Sequence, residues 1–275
     1  MFRLALTFGG GGARGAAHIG VLMEMAQIGL PPPDLITGAS IGGLVGGLLA
    51  AGRTHEEMST FFQQLSLTRL YGRPGGLPAL SSHRKLETLL EQTIGRPTFA
   101  QLTIPLAVVT VDLARRQEIV LDEGDVVSAI LATTAFPVVL PPVNHNGLNL
   151  IDGGVLNNVP FDVARARGAT HVIAIELGNA APYGSPAPYP AGRSLTARAL
   201  ALAQRQPLWQ VLSAVTDILT AQSFQARLAI SKPDLLLRPE LGTIGLFDFH
   251  RFDEALAAGR QAVQDKKDEL LRVPS

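Results

Sequence analysis

Arg3-Leu4-Ala5-Leu6-Thr7-Phe8-Gly9-Gly10-Gly11-Gly12-Ala13-Arg14-Gly15 takes the chain from an apolar run straight into four consecutive glycines. The run has the character of a buried strand, and the glycines mark a loop because they break any regular element. A helix is expected from about Ala16 to Gly29. Pro31-Pro32-Pro33 then turns the chain into a short strand, Leu35 to Thr37, followed by Gly38-Ala39-Ser40-Ile41-Gly42 and a second helix, Ile41 to Ala51. A βαβα opening of this kind predicts an α/β fold in which a mainly parallel sheet is covered on both faces.

The rest of the chain extends that pattern. Leu106 to Val111 is rich in β-branched residues and reads as a central strand, with Glu118 to Leu121 pairing locally beside it. A helix is expected from Asp125 to Ala135, stopped by Pro137. Leu148 to Ile151 forms a short strand that ends at Asp152-Gly153-Gly154, Pro160 starts another helix, and His171 to Leu177 is the last core strand. Residues 178–193, rich in Pro, Gly and Ala, read as a mobile loop. A C-terminal helical part, 195–275, then holds a helical stretch from Leu195 to Leu228 with a break at Pro207, a short strand at Leu235 to Leu237 and a closing helix from Asp253 to about Leu271. All 275 residues are assigned to one domain.

Composition narrows the function classes. The 23 basic and 23 acidic residues cancel, so no global field draws nucleic acid or an anionic bilayer. No cysteine is present, which removes thiol nucleophiles, disulfides and thiolate metal sites. The N-terminus lacks a basic region followed by a long apolar stretch, and a cytoplasmic protein is expected. Leu35 to Gly52 carries no charge and approaches membrane-spanning length, but its six glycines argue for a buried helix instead. Gly43, Gly46 and Gly47 would let that helix lie close to a sheet.

Two motifs carry chemistry. A serine between Gly38 and Gly42 has the form of a sharp strand-to-helix turn that presents a hydroxyl, although a turn serine or helix N-cap is the commoner fate of serine at such a boundary. The amides of Gly10, Gly11 and Gly12, at a helix N-terminus, suit a developing oxyanion, with Gly15 completing the loop. Arg14 is expected to brace that loop through backbone carbonyls. Gly10, Gly12 and Gly15 also satisfy the dinucleotide fingerprint, but Asp34 precedes the second strand and so sits at the wrong edge to hold a ribose. The missing lysine excludes a phosphate loop.

Ser40 needs a proton acceptor. Asp152 with His171 or His250 fits the chain order of α/β-hydrolases, but only two strands precede Ser40, which does not fit that topology. His18 falls within the first helix, where packing or backbone bonding is the expected role, and no histidine stands in a convincing frame. Asp152 does, at a strand end followed by Gly153 and Gly154. Either it bonds turn amides or it takes the serine proton directly, in which case burial should raise its pKa from about 3.9.

Gly10-Gly11-Gly12-Ala13-Arg14-Gly15, Gly38-Ala39-Ser40-Ile41-Gly42 and Asp152-Gly153-Gly154, in that order, resemble the patatin-like phospholipase family, particularly its bacterial neuropathy-target-esterase-like members. His18-Ile19-Gly20-Val21, Ala135-Phe136-Pro137 and Leu140-Pro141-Pro142 extend the likeness over about two thirds of the chain. The resemblance implies a three-layer α/β/α fold and hydrolysis of fatty acyl esters by a Ser40-Asp152 dyad with no catalytic histidine. It implies an oxyanion hole at Gly10 to Gly12 and neither metal nor organic cofactor. Ala39 departs from a frequent threonine, and Thr133-Thr134 from a serine-containing approach to the proline. The expected partner is a lipid or acyl ester, with no nucleic acid. The stretch from Leu195 to Leu228, with the proline-rich loop before it, reads as ordinary core, as a cover over an acyl-chain groove or as a peripheral membrane contact.

Overall fold

The computed structural model describes residues 3–65, 83–137, 139–178 and 207–273. Its centre is a mixed sheet. The strands are β1 (Leu4–Phe8), β2 (Leu35–Ala39), β3 (Leu106–Asp112), β4 (Gln117–Leu121), β5 (Val143–His145), β6 (Leu148–Asp152), β7 (His171–Ile175) and β8 (Leu235–Leu237). They run in the order β5-β6-β3-β2-β1-β7-β8, with β4 also paired to β3. The five strands from β3 through β2, β1 and β7 to β8 are mutually parallel, whereas β4, β5 and β6 join by antiparallel pairing.

Period-two alternation separates the two faces. Leu4, Leu6 and Phe8 of β1 join one core cluster with Ile36, Leu106, Val108, Ile173 and Ile175. That face is covered by α1 (Ala16–Gln27), α2 (Ile41–Ala50), α3 (His55–Gln64), α4 (Arg84–Ile94), α5 (Val126–Thr133) and α8 (Phe252–Asp265). The opposite face carries small residues, Ala5, Ala39, Ala107 and Ala174. Against it lie α6 (Phe161–Ala166) and α7 (Pro207–Ile230), whose Phe161 and Phe224 rings meet edge to face at 6.0 Å. The fold is therefore a three-layer α/β/α sandwich.

The expected elements fall close to their observed bounds, with local differences. Asp125 caps α5 by accepting from the Ser128 amide at 2.9 Å. The closing helix breaks at Lys266 into α8 and α9 (Lys267–Leu270). In α2, Gly46 faces Ile36 of the sheet, and Gly43 and Gly47 meet Val108 and Leu106 of the sheet while packing more tightly on Thr133 and Ile130 of α5, so these two glycines also serve helix-to-helix contact. No helix among the described residues is long and apolar enough to cross a membrane. The stretches 66–82 and 179–206, which include most of the expected 178–193 loop and the start of the expected Leu195 to Leu228 helix, lie outside the described residues.

One detail of the sheet positions the site. Along one edge of β3, β2 pairs as far as Ala39 opposite Val109, and β6 takes over at the next residue with Asp152 opposite Thr110. Because β4 holds Val108 to Asp112 on the other edge, β2 and β6 must share this one. The carboxyl end of a parallel strand and that of an antiparallel strand thus abut. Ser40 follows the first, and Asp152 ends the second.

Candidate active site

Ser40 occupies a strained turn. Its φ of 54° and ψ of −129° lie where non-glycine residues are rare, a conformation costing on the order of 1–3 kcal/mol. Although it precedes α2, its side chain makes no capping bond, so the hydroxyl is not committed to the helix end. The turn needs its glycines because backbone crosses backbone there. A Cβ on Gly42 would lie 2.1 Å from the Phe8 carbonyl oxygen, and one on Gly38 would lie 2.7 Å from Gly42 itself. Gly15 packs against Ile41.

Asp152 is buried, 1% exposed, at the end of β6. Its Oδ1 accepts the Gly154 amide at 2.8 Å, while Oδ2 is buried without a well-formed hydrogen bond among the described residues. The Ser40 hydroxyl interacts with this carboxylate and favours its ionised form, as does the Gly154 amide. Burial is the larger effect, and it pushes the carboxyl up to about 7. Gly153 is required by close approach, since a Cβ there would lie 2.1 Å from the Val109 carbonyl oxygen.

Both residues line a cleft of about 100 Å³ together with Gly10, Gly11, Gly12 and Arg14. The three glycine amides are not equivalent. That of Gly10 donates to the Asn158 carbonyl at 2.9 Å and is therefore occupied, which corrects the expectation of three free donors. The amides of Gly11 and Gly12 have no acceptor among the described residues. Gly12 has φ of +56°, and a Cβ on it would lie 2.2 Å from the Leu246 carbonyl oxygen. Arg14, 3% exposed, donates to the Gly11 carbonyl at 3.2 Å and the Gly178 carbonyl at 2.6 Å, and pairs with Asp217 of α7 at 3.6 Å. It ties the glycine loop to the strand end after β7 and to the helix that walls the cleft.

The histidines lie elsewhere. His18 is fully buried, with Nε2–H donating to the Gly9 carbonyl at 2.7 Å, and burial drops its pKa to about 4. It steadies the glycine loop from below, edge-on to Phe8. His83 bonds the Pro141 carbonyl and His145 bonds Ser128. His171 starts β7 at the opposite end of the sheet from the cleft, and neither it nor His250 is among the residues lining the cleft. At that opposite end Asp34 accepts the amides of Arg3 and Leu4, each at 2.9 Å, so it caps the start of β1 and faces away from the glycine loop. No group of three potential metal ligands occurs among the described residues.

Two residues of the site escaped the sequence reading. Asn158 touches both motif loops: its backbone carbonyl takes the Gly10 amide, and its side chain reaches the Gly10 carbonyl at 3.4 Å. Thr133, seen in sequence only as a departure, accepts the Ser40 amide at 3.0 Å and donates to the Val109 carbonyl at 2.6 Å. Its signal was a hydroxyl residue ending a mostly apolar helix just before Ala135-Phe136-Pro137. The cleft wall is otherwise apolar on one side, through Ile41, Leu44, Leu86 and Leu140, and polar on the other, through Thr216, Asp217 and Thr220.

A family profile, patatin-like phospholipase, matches residues 6–165, which include both motif loops and the Asp152 turn. The neuropathy target esterase sws of Drosophila melanogaster is 32% identical over 189 residues, covering 64% of this chain and 13% of that protein. Patatin-like phospholipase domain-containing protein 7 of Rattus norvegicus is 28% identical over 281 residues, covering 94% of this chain and 20% of its own length. An uncharacterised NTE family protein of Mycobacterium bovis is 33% identical over 177 residues, 64% of this chain and 49% of that one. The chain thus spans no more than about half the length of these curated relatives. Among solved structures, VipD from Legionella pneumophila superposes with a TM-score of 0.57 at 14% identity, over 98% of this chain and 66% of its own, a likeness of fold alone. On the extent of the matching profile, the chain belongs to the patatin-like phospholipase family.

Proposed function

We propose that this chain hydrolyses fatty acyl esters of phospholipids or lysophospholipids, with Ser40 as nucleophile and Asp152 as the single proton-transfer group. The observation that carries this reading is the pairing at the strand junction: an uncapped serine hydroxyl interacting with a buried carboxylate whose pKa stands at about 7. A general base is most effective with a pKa near working pH, and a carboxylate at its ordinary value would be too weak.

In the first step the Ser40 oxygen attacks the ester carbonyl as its proton passes to Asp152, and the carbonyl π pair moves onto oxygen. The Gly11 and Gly12 amides, which have no acceptor among the described residues, stabilise that oxyanion; each such donor is worth about 2.7–4 kcal/mol in the transition state. Collapse expels the alcohol oxygen, which takes the proton back from Asp152, leaving an acyl-serine. Water then attacks the acyl carbon with Asp152 again accepting a proton, and the free acid and Ser40 hydroxyl are regenerated. The apolar wall of Ile41, Leu44, Leu86 and Leu140 suits an acyl chain, and the family name together with the esterase and phospholipase names of the relatives supports a fatty acyl ester. The reading requires neither metal nor organic cofactor.

Fatty acid release from phosphatidylcholine, lysophosphatidylcholine and a p-nitrophenyl ester tests it. The purified protein should release acid from at least one of these, and Ser40→Ala should release none. Equal release by wild type and Ser40→Ala would discard the assignment.

A further inference from the structure

We infer that Thr133 is the positioning residue of the nucleophile, locking the strained Ser40 turn to the strand that also places Asp152; this rests on the reading of Ser40 and Asp152 given above. A threonine hydroxyl has one proton and two acceptor positions. Here the proton goes to the Val109 carbonyl at 2.6 Å, so the same oxygen can meet the Ser40 amide, 3.0 Å away, only as acceptor. The direction of both bonds is therefore fixed. Thr133 is fully buried, and its methyl faces Gly43, where a Cβ would come within 2.7 Å, so packing holds the rotamer that aims the hydroxyl. Its neighbour Thr134 turns its hydroxyl back to Ile130 and Leu131 of its own helix and makes no such link.

Val109 is what makes the link consequential. On β3 it pairs with Ala39, the residue before Ser40, and the next residue, Thr110, pairs with Asp152. Gly153 packs directly onto the Val109 carbonyl oxygen. One carbonyl thus touches the loop of the acid and, through one hydroxyl, the amide of the nucleophile. A backbone with φ of 54° persists only where its surroundings over-determine it, and among the described residues the Thr133 oxygen is the one side-chain partner of the Ser40 amide. Thr133 is not among the residues lining the cleft, so removing that oxygen takes away no group that faces the cleft. The loss should fall on the chemical step.

Thr133→Val removes the hydroxyl at nearly constant shape, and Thr133→Ser keeps it. With a p-nitrophenyl ester, kcat of Thr133→Val should fall about 10- to 100-fold, the scale expected when a reacting group is misplaced by about 1 Å, with KM changed less than about twofold. Thr133→Ser should stay within about threefold of wild type. The rate constant of Ser40 modification by a fluorophosphonate, normalised to the folded fraction by circular dichroism, should fall in parallel. If Thr133→Val does not fold, Thr133→Ala takes its place in the same comparison with Thr133→Ser. Wild-type kcat per folded molecule in the hydroxyl-free variant, or equal loss in Thr133→Ser, overturns the assignment while leaving the dyad intact. A wild-type protein that neither hydrolyses the ester nor labels at Ser40 overturns the functional reading instead.

Discussion

Replacing Asp152 by Asn should make the protein more stable at alkaline pH while abolishing turnover. The native carboxyl has a pKa of about 7 against an unfolded value of about 3.8, chiefly because it is buried. A group whose pKa is raised on folding contributes stability that is fully present below the unfolded value and is lost as pH rises through the folded one. Each unit corresponds to about 1.4 kcal/mol, so the complete loss for this shift is about 4 kcal/mol, with about 2 to 3 kcal/mol of it between pH 5 and pH 8. Asn does not ionise, and its oxygen can still take the Gly154 amide that Oδ1 accepts now. Its amide nitrogen would stand where Oδ2 lacks a well-formed partner. Thermal unfolding of both proteins at pH 5 and pH 8 measures the effect. The advantage of Asp152→Asn should widen by about 5–10 °C toward pH 8, using about 2–4 °C per kcal/mol for a chain of this size. A gap that stays constant with pH, or a variant less stable at pH 8, would refute the buried, raised carboxyl and with it the base.

Further outcomes follow from the same geometry. The acid limb of the kcat/KM profile should have its midpoint near pH 7, rising as Asp152 ionises, and a midpoint near 4 in steady-state assays would contradict the assignment. Gly153→Ala should lose about 3 kcal/mol or more, because its Cβ would meet the Val109 carbonyl oxygen at 2.1 Å, whereas Gly95→Ala, with no atom within 4 Å, should lose only the backbone cost of its φ of 69° and ψ of −147°, about 1–3 kcal/mol; urea unfolding compares them. Arg14→Lys should lower kcat about tenfold with little change in fold, since one ammonium cannot bond both the Gly11 and Gly178 carbonyls as the guanidinium does; steady-state kinetics beside circular dichroism will show it.

The parallel part of the sheet was legible because its signals are local: β1, β2 and the glycine motifs between them are written in consecutive residues. Asp152 was legible as an isolated frame, a strand end followed by two glycines. What the sequence could not show is how that frame meets Ser40, because the meeting depends on β6 running antiparallel to β3 and taking over its edge where β2 stops. That register is a tertiary outcome. The same holds for the Gly10 amide, whose occupation by the Asn158 carbonyl joins residues 148 positions apart in the chain. Thr133 was passed over for a simpler reason. Substitution of threonine for serine keeps the hydroxyl, and only the contacts of that hydroxyl with Val109 and Ser40 reveal what it does. The strand Val143–His145 was missed because its three residues are too few to display an alternation.

The most direct measurement is covalent: treat the protein with a fluorophosphonate and map the modified peptide by mass spectrometry. The account expects one phosphonyl group per molecule, on Ser40, absent from Ser40→Ala and formed far more slowly in Asp152→Asn. Modification at another residue, or unchanged labelling of Ser40 when Asp152 is replaced, would contradict it.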